Sequence, residues 1–190
     1  MEKFLKHGGV PTSEQKELAD LNGNQKIDRF DWVALQKLLE GKIQQKDLPL
    51  LLGDVNGDKT VNTLDATLAE KMLAGSGEWN EVQKLQADTN ANKRIDKHNI
   101  NLIMNVAAEI ITQPELPLEP GDFDDNDQIK SDDVIIVMKY LDPVNKPTSK
   151  EILYGDMNLN GKFDQPDLDQ INKMLTKYTI EDPCMVPPTN

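Results

Sequence analysis

Several residue types are scarce in this 190-residue chain, and each shortage disfavours a class of protein. There is one cysteine, Cys184, so no internal disulfide can form. The two histidines, His7 and His98, have no nucleophile near them in a recognisable arrangement, so we expect no enzymatic activity. A run of about 18 apolar residues is also missing, so no transmembrane helix is expected.

Apolar and basic side chains are also few. The chain has 37% hydrophobic and 5% aromatic residues, which is little for one large core, so small local cores stabilised by metal are expected. Its 21 basic residues are outnumbered by 33 acidic ones, which gives a net charge of -12. A surface of that sign repels nucleic acid and anionic membranes, so neither is expected as a partner.

The acidic residues are concentrated in loops that begin at a fixed interval. Aspartate opens a twelve-residue loop at Asp20, Asp54, Asp88, Asp122 and Asp156, and consecutive loops are 34 residues apart. Oxygen-bearing side chains recur at loop positions one, three, five, nine and twelve, and position seven offers its backbone carbonyl. This is the ligand spacing of an EF-hand, which surrounds Ca²⁺ with oxygen atoms. Five loops in register therefore predict a tandem array of calcium sites.

The candidate Ca²⁺ ligands follow from these loop positions. The first two loops offer Asp20, Asn22, Asn24, Lys26, Asp28, Asp31, Asp54, Asn56, Asp58, Thr60, Asn62 and Asp65. The third loop offers Asp88, Asn90, Asn92, Arg94 and Asp96. The last two loops offer Asp122, Asp124, Asn126, Gln128, Asp133, Asp156, Asn158, Asn160, Lys162, Asp164 and Asp167. The residues at position seven, such as Lys26 and Arg94, would use only their main-chain carbonyl.

Two loops depart from this ligand pattern. The third has Asn99 at position twelve, where a carboxylate normally supplies two oxygens, so we expect weak or absent Ca²⁺ binding there. The fourth has Lys130 at position nine, a position that often acts through water, so we expect lowered affinity. Position six, where a left-handed backbone is usual, is glycine only in the fifth loop, at Gly161.

Each loop runs directly into a segment with helical periodicity. In the first repeat the apolar residues at helical spacing are Trp32, Leu35, Leu38 and Leu39. Thr12 with Gln15, and Thr148, predict N-caps of short helices that lead into the first and fifth loops. The expected fold is all-α, a tandem array of five EF-hand-like loop–helix repeats of 34 residues.

Two packing schemes suit five repeats. In one, residues 1–76 pair the first and second repeats, 77–113 form a bridging third repeat, 114–182 pair the fourth and fifth, and 183–190 are a tail. In the other, all five repeats stack as a solenoid. The prolines of TQPELPLEPG favour a stiff connection and thus pairs, whereas the strict period favours a solenoid.

A family resemblance follows from the loop sequences. The pattern G-D-x-N-x-D/N, then an aliphatic residue, Asn or Asp, and finally Asp at position twelve running straight into a helix, resembles dockerin type I repeats. It is similar to the dockerin F-hand and differs from calmodulin-type hands, which use glutamate at position twelve and two long helices. The resemblance implies a Ca²⁺-binding module that docks onto a cohesin-like partner. A dockerin normally has two repeats, whereas this chain has five.

The resemblance also implies that loop positions ten and eleven and helix position eighteen help to contact cohesin. Position eighteen holds Lys37, Lys71, Asn105, Lys139 and Lys173. Positions ten and eleven differ in every repeat, from Arg29 and Phe30 in the first to Gln165 and Pro166 in the fifth. This variation argues against a symmetric, two-way cohesin contact.

The alternative function is a calcium-stabilised structural repeat protein, either a spacer or a filament subunit that associates with copies of itself. An odd number of repeats favours it, because an unpaired repeat could bind the next chain. The start MEKFLKHGGV lacks the apolar core of a signal peptide. Loops of modest affinity nevertheless work best where Ca²⁺ is abundant, so an extracellular or cell-surface location is expected.

Overall fold

A computed structural model describes residues 12–124, 126, 128–142 and 144–181, and every regular element among them is helical. The α-helices are α1 (Ser13–Ala19), α2 (Arg29–Leu39), α3 (Thr63–Leu73), α4 (Glu81–Ala87), α5 (Lys97–Ala107), α6 (Ser131–Met138), α7 (Ser149–Gly155) and α8 (Gln165–Glu181). Short 3₁₀ turns lie at Gln45–Asp47, Gln113–Glu115 and Lys139–Leu141. The predicted all-α fold is confirmed.

Predictions about the two ends of the chain concern residues that the structure does not describe. They are the N-terminal segment with His7 and the tail 183–190 with Cys184. Among the described helices, none combines the length and the apolar character that crossing a membrane would need.

The helices that leave the loops, which we call exit helices, are α2, α3, α5, α6 and α8, and each begins at loop position ten. Loop position nine is the N-cap, so Asp28 accepts a hydrogen bond from the backbone N–H of Phe30. Position twelve completes a capping box, because Asp31 accepts from the backbone N–H of Asp28 at 2.9 Å. The residues predicted as metal ligands therefore also start the helices.

Odd-numbered and even-numbered loops are entered in different ways. The first, third and fifth loops each follow a seven-residue entry helix, and the three N-caps, Thr12, Asn80 and Thr148, are 68 residues apart. The second and fourth loops instead follow a 3₁₀ turn and an extended Leu-Pro-Leu segment. The structural repeat is thus 68 residues long and contains one odd and one even loop, although the loops alone recur every 34 residues.

The chain forms two compact units, Met1–Glu119 with three loops and Pro120–Asn190 with two. In the first unit α3 packs on α5, so the second repeat pairs with the third. In the second unit α6 packs on α8, so the fourth repeat pairs with the fifth. The first of these pairings differs from the expected pairing of repeats one and two. Entry helix α4, which leads into the third loop, adds Ala87 to the core between α3 and α5.

Both helix pairs are built in the same way. The core between α3 and α5 comprises Val55, Ala66, Ala69, Ala87 and Ile103, and the core between α6 and α8 comprises Ile129, Val137, Leu168 and Ile171. The aliphatic residues at loop position eight, such as Val61 and Ile95, pack against these cores. The residue before each even loop also bonds to the segment before the odd loop, as Gly53 N–H does to the Gln86 carbonyl at 2.7 Å.

The first repeat is held to its unit by the extended segments that precede the even loops. Backbone N–H of Leu50 donates to the carbonyl of Leu21 in the first loop at 2.9 Å. Asn24 Nδ2 donates to the carbonyl of Leu116 at 2.9 Å. Helix α2 contributes as well, because it buries Phe30, Val33 and Ala34 and its Lys37 forms an ion pair with Glu81 of α4 at 2.7 Å. Among the described residues it forms no helix pair like that of α3 and α5.

Truncation of Ile103, which is fully buried between α3 and α5, should destabilise the first unit. We expect Ile103→Ala to cost about 2–4 kcal/mol of unfolding free energy, because it removes apolar contacts and leaves a cavity. Ile110→Ala, at a residue that is 47% exposed, should cost less than about 1 kcal/mol. Urea unfolding in calcium, followed by tryptophan fluorescence, measures both. Equal losses for the two variants would contradict this packing.

Candidate calcium sites

Aspartate at position one winds each loop around its own carboxylate. In the second loop Asp54 accepts hydrogen bonds from the backbone N–H groups of Gly57, Asp58 and Lys59, at 2.9, 3.1 and 2.9 Å. Position one makes the same kind of bonds in the first, third and fifth loops. The bonds turn the following residues around a common centre, so their oxygens can converge on one ion.

This winding requires left-handed backbone at two positions of the loop. Position six has φ between 67° and 79° in the four loops where it is described, at Gln25, Lys59, Lys93 and Gly161. Position four is left-handed as well, with glycine at Gly23 and Gly57 but Ala91 and Leu159 in the third and fifth loops. Sequence reasoning missed position four, although the two glycines were a usable signal.

The residue at position twelve lies completely buried in all five loops. These residues are Asp31, Asp65, Asn99, Asp133 and Asp167, each with 0% exposure. Asp167 accepts backbone hydrogen bonds from Met157, Asn158 and Asp164 at 2.9–3.2 Å. These bonds fix the direction of the carboxylate and connect the start of the loop with the start of the exit helix.

Burial shifts the pKa values of several loop carboxyls upward. Burial raises the pKa of Asp31 to about 7, although the backbone N–H of Asp28 favours the charged form. Burial likewise raises the pKa of Asp88 to about 6. The pKa values of Asp54 and Asp167 are raised for the same reason. Negative charge at the loop centres is therefore costly until a cation compensates it.

The oxygen donors in the first, second, fourth and fifth loops suit Ca²⁺, a hard cation. Carboxylate oxygens of Asp122, Asp124 and Asp133 lie within 4.8 Å of one another, so one ion could contact all three. In the fifth loop Asp164 Oδ1 is buried and has no hydrogen-bond partner, which suits an atom that faces a cation. The side chains at position seven are exposed, so only the carbonyl there is available to the loop.

The third loop is arranged differently. The backbone N–H of Asp96 donates to Asn99 Oδ1 at 2.7 Å, and this bond fixes the orientation of the amide. Asn99 Nδ2 then donates to Asn90 Oδ1, the side-chain oxygen at position three, at 3.0 Å. A hydrogen bond thus joins two positions that a metal would join in the other loops. The N–H group of the Asn99 amide also lies where the other loops have an oxygen of the position-twelve carboxylate.

The fold and these loops define a class of protein, in which loop–helix hands of EF-hand type pack in pairs through their exit helices. The family model of the Dockerin type I domain matches residues 52–106 and 120–176. The chain belongs to the type I dockerin family, which confirms the resemblance seen in the loop sequences. None of the curated proteins compared with the chain matches it.

The family match coincides with the helix pairs. Residues 52–106 contain the second and third loops, and residues 120–176 contain the fourth and fifth. The first loop lies outside both matched ranges. Type I dockerin domains bind Ca²⁺ through EF-hand-like loops and are non-catalytic docking modules that bind cohesins.

Acidification should stabilise the metal-free chain. The folded-state pKa values of Asp31 and Asp88, about 7 and about 6, lie above the ordinary 3.8, so the folded state binds more protons. This stabilisation is complete below the unfolded-state pKa and is lost as the pH rises through the folded-state values. We expect the melting temperature without metal to rise by about 5 °C or more between about pH 8 and about pH 5.

Thermal melts followed by circular dichroism, with chelator and with calcium, measure this dependence. In calcium the sign should reverse, because protons compete with Ca²⁺ for the same carboxylates. The matched variant Asp31→Asn removes one titrating group and should reduce the pH dependence of the metal-free chain. A metal-free melting temperature that falls on acidification would contradict the assignment.

Proposed function

We propose that the chain is an extracellular docking module that binds four Ca²⁺ ions and then binds a cohesin-like protein through its exit helices. The observation that carries this proposal is the coincidence of two dockerin domain matches with the two helix pairs, α3 with α5 and α6 with α8. Calcium would hold the loops, the loops fix where the exit helices start, and the exit helices present the docking residues.

The proposed calcium ligands are those predicted in the first, second, fourth and fifth loops. In these loops a buried aspartate stands at position twelve. The third loop is proposed to stay free of metal, because Asn99 donates to Asn90 in the loop interior. This loop would then support α5 by hydrogen bonds alone.

Calcium counting tests the proposed occupancy. The chain should bind four Ca²⁺ ions, one for each loop with aspartate at position twelve. Asn99→Asp should add a fifth ion, because it replaces the interior N–H donor with carboxylate oxygens, and Asp65→Asn should remove one. Equilibrium dialysis with elemental analysis gives the stoichiometry. Five ions on the unaltered chain, or an unchanged count for Asn99→Asp, would contradict the proposal.

The family's docking positions are exposed on the exit helices of both even repeats. On α3 these residues are Thr63, Leu64 and Lys71. In the fourth repeat they are Ser131 and Asp132 on α6 and Lys139 directly after it, in the 3₁₀ turn. All six point away from the α3–α5 and α6–α8 cores, since none belongs to either buried cluster. Each pair of repeats could therefore present one helix to a partner.

The α6 surface is the better candidate for the principal docking site. It adds Ile135, which is 58% exposed, and the exposed Met138 beside Lys139. Large apolar side chains at the centre of a polar rim are typical of residues that dominate binding energy. On α3 the corresponding positions hold Thr67 and Glu70. The exposed apolar side chains of α3, Leu64 and Leu73, lie near the two ends of the helix, so its centre is polar.

Matched substitutions at helix position fourteen test this assignment. Ile135→Glu should weaken binding by about 30-fold or more, because it places a charge in the apolar centre of the interface. Thr67→Glu, the same change at the equivalent position of α3, should change the affinity by less than about threefold. Isothermal titration against a panel of recombinant cohesin modules, with calcium and with chelator, measures both.

The opposite ranking of the two variants would move the docking site to α3. Binding that persists in chelator would contradict a calcium-built surface. Sedimentation velocity on the chain alone completes the test. Calcium-dependent growth into large assemblies, without affinity for any cohesin, would favour the structural alternative in which the chain associates with copies of itself.

A further inference from the structure

Helix positions thirteen and sixteen, counted from the first loop residue, face each other in both helix pairs. On the even helices α3 and α6 they hold small residues, which are Ala66, Ala69, Val134 and Val137. On the odd helices α5 and α8 they hold large residues, which are Ile100, Ile103, Leu168 and Ile171. The large side chains of an odd helix therefore fill the space that small side chains leave on an even helix.

The first repeat has the two features of the other odd repeats, an entry helix and large residues at positions thirteen and sixteen. It follows the capped entry helix α1, and its exit helix α2 carries Trp32 and Leu35 at positions thirteen and sixteen. Within the first unit the even helix α3 packs on α5, and no comparable packing joins α3 to α2 among the described residues. Leu35 is accordingly only half-buried, whereas the equivalent Ile103 and Ile171 are fully buried.

Other apolar side chains of the first repeat are also exposed to solvent. Leu18 is 74% exposed and Leu39 is 80% exposed, and Ile27 at loop position eight is exposed as well. We call the surface formed by Leu18, Ile27, Trp32, Leu35 and Leu39 the open odd face. In the pairs that are complete, the residues equivalent to Ile27 belong to the core of the pair.

Among the described residues, the backbone carbonyl of Leu18, before the first loop, also lacks the glycine partner that the equivalent carbonyls have in the complete pairs. The residue equivalent to Leu18 is Gln86 in the third repeat and Tyr154 in the fifth. Their carbonyls accept from the backbone N–H of Gly53 and Gly121, each at 2.7 Å. Among the described residues, no even-loop glycine donates to the carbonyl of Leu18. The first repeat thus offers both the side chains and the acceptor that an even repeat uses.

The geometry points to the open odd face as a docking site for one further even-type calcium repeat, other than the second and fourth repeats. Such a repeat has glycine before its loop, an aliphatic residue at position eight, and alanine or valine at positions thirteen and sixteen. The glycine N–H would meet the carbonyl of Leu18, the aliphatic residue would contact Ile27, and the small residues would receive Trp32 and Leu35. This contact is distinct from cohesin docking, which is proposed to use the outer surface of the even helices.

Two observations disfavour a second copy of the chain as the occupant. Both even helices among the described residues, α3 and α6, already pack on odd helices. Two open odd faces against each other would place Trp32 and Leu35 of one copy against the same large residues of the other. The small-against-large packing seen in both complete pairs would then be lost.

A peptide spanning residues 50–76, the even second repeat of this chain, is the direct probe. It is titrated in calcium into the full chain carrying Trp79→Phe, so that Trp32 is the sole tryptophan. We expect a saturable blue shift of Trp32 emission, because the indole leaves water on binding. A peptide with Ala66→Glu and Ala69→Glu keeps every metal ligand and should give no shift.

Variants of the chain locate the contact. Leu35→Glu should weaken peptide binding by about 30-fold or more, because it places a charge at the centre of the apolar face. Val144→Glu adds the same charge at an exposed apolar residue of the second unit and should leave the affinity unchanged. Equal affinities for the two variants would overturn the proposal.

A tethered version removes the requirement that the peptide fold alone. A copy of residues 46–79 carrying Trp79→Phe, inserted directly before Thr12 of the Trp79→Phe chain, keeps Trp32 as the sole tryptophan. It reproduces the linkage between the second and third repeats at high effective concentration. The fusion should show the blue shift without peptide and should no longer bind it. The proposal is overturned if neither peptide nor fusion shifts the emission. It is also overturned if the unaltered chain forms dimers that Leu35→Glu abolishes, since the occupant would then be a second copy.

Discussion

The buried residue at loop position twelve is the constraint on which the rest of the structure depends. In the first loop the Asp31 carboxylate accepts from the backbone N–H of Leu21 and of Asp28, so it joins the beginning of the loop to the start of α2. The same carboxylate is fully buried and its pKa is raised to about 7, so its charge needs a partner. A cation at the loop centre satisfies that need, and this couples metal binding to the position of the helix.

Helix pairing follows from where the exit helices begin. Each starts at loop position ten, so positions thirteen and sixteen always face the same direction relative to the loop. Small residues there on an even helix and large ones on an odd helix let the two pack closely. In both even repeats the same start leaves positions ten, eleven and eighteen exposed, so the start of the helix sets both the core and the docking surface. In the third loop a hydrogen bond from Asn99 Nδ2 to Asn90 Oδ1 connects the loop to the start of α5.

Much of this arrangement could be predicted because it depends on residues close in sequence. The N-caps Thr12 and Thr148 and the helix starts after each loop are local signals, and both capping boxes are present in the structure. The pairing of the second repeat with the third could not be predicted from the 34-residue period. That period describes the loops alone, whereas pairing depends on which segment enters each loop, and entry segments alternate over 68 residues.

The sequence by itself determined the loops, their ligand types, the helix starts and the dockerin family, because each depends on spacing within a few tens of residues. Only the tertiary structure decided the direction of the Asn99 amide, since that depends on which atom meets the backbone N–H of Asp96. It also decided that α3 packs on α5 and that no comparable packing joins α3 to α2 among the described residues. Such choices depend on complementary volumes of side chains from different repeats, and a repeating loop pattern carries no information about them.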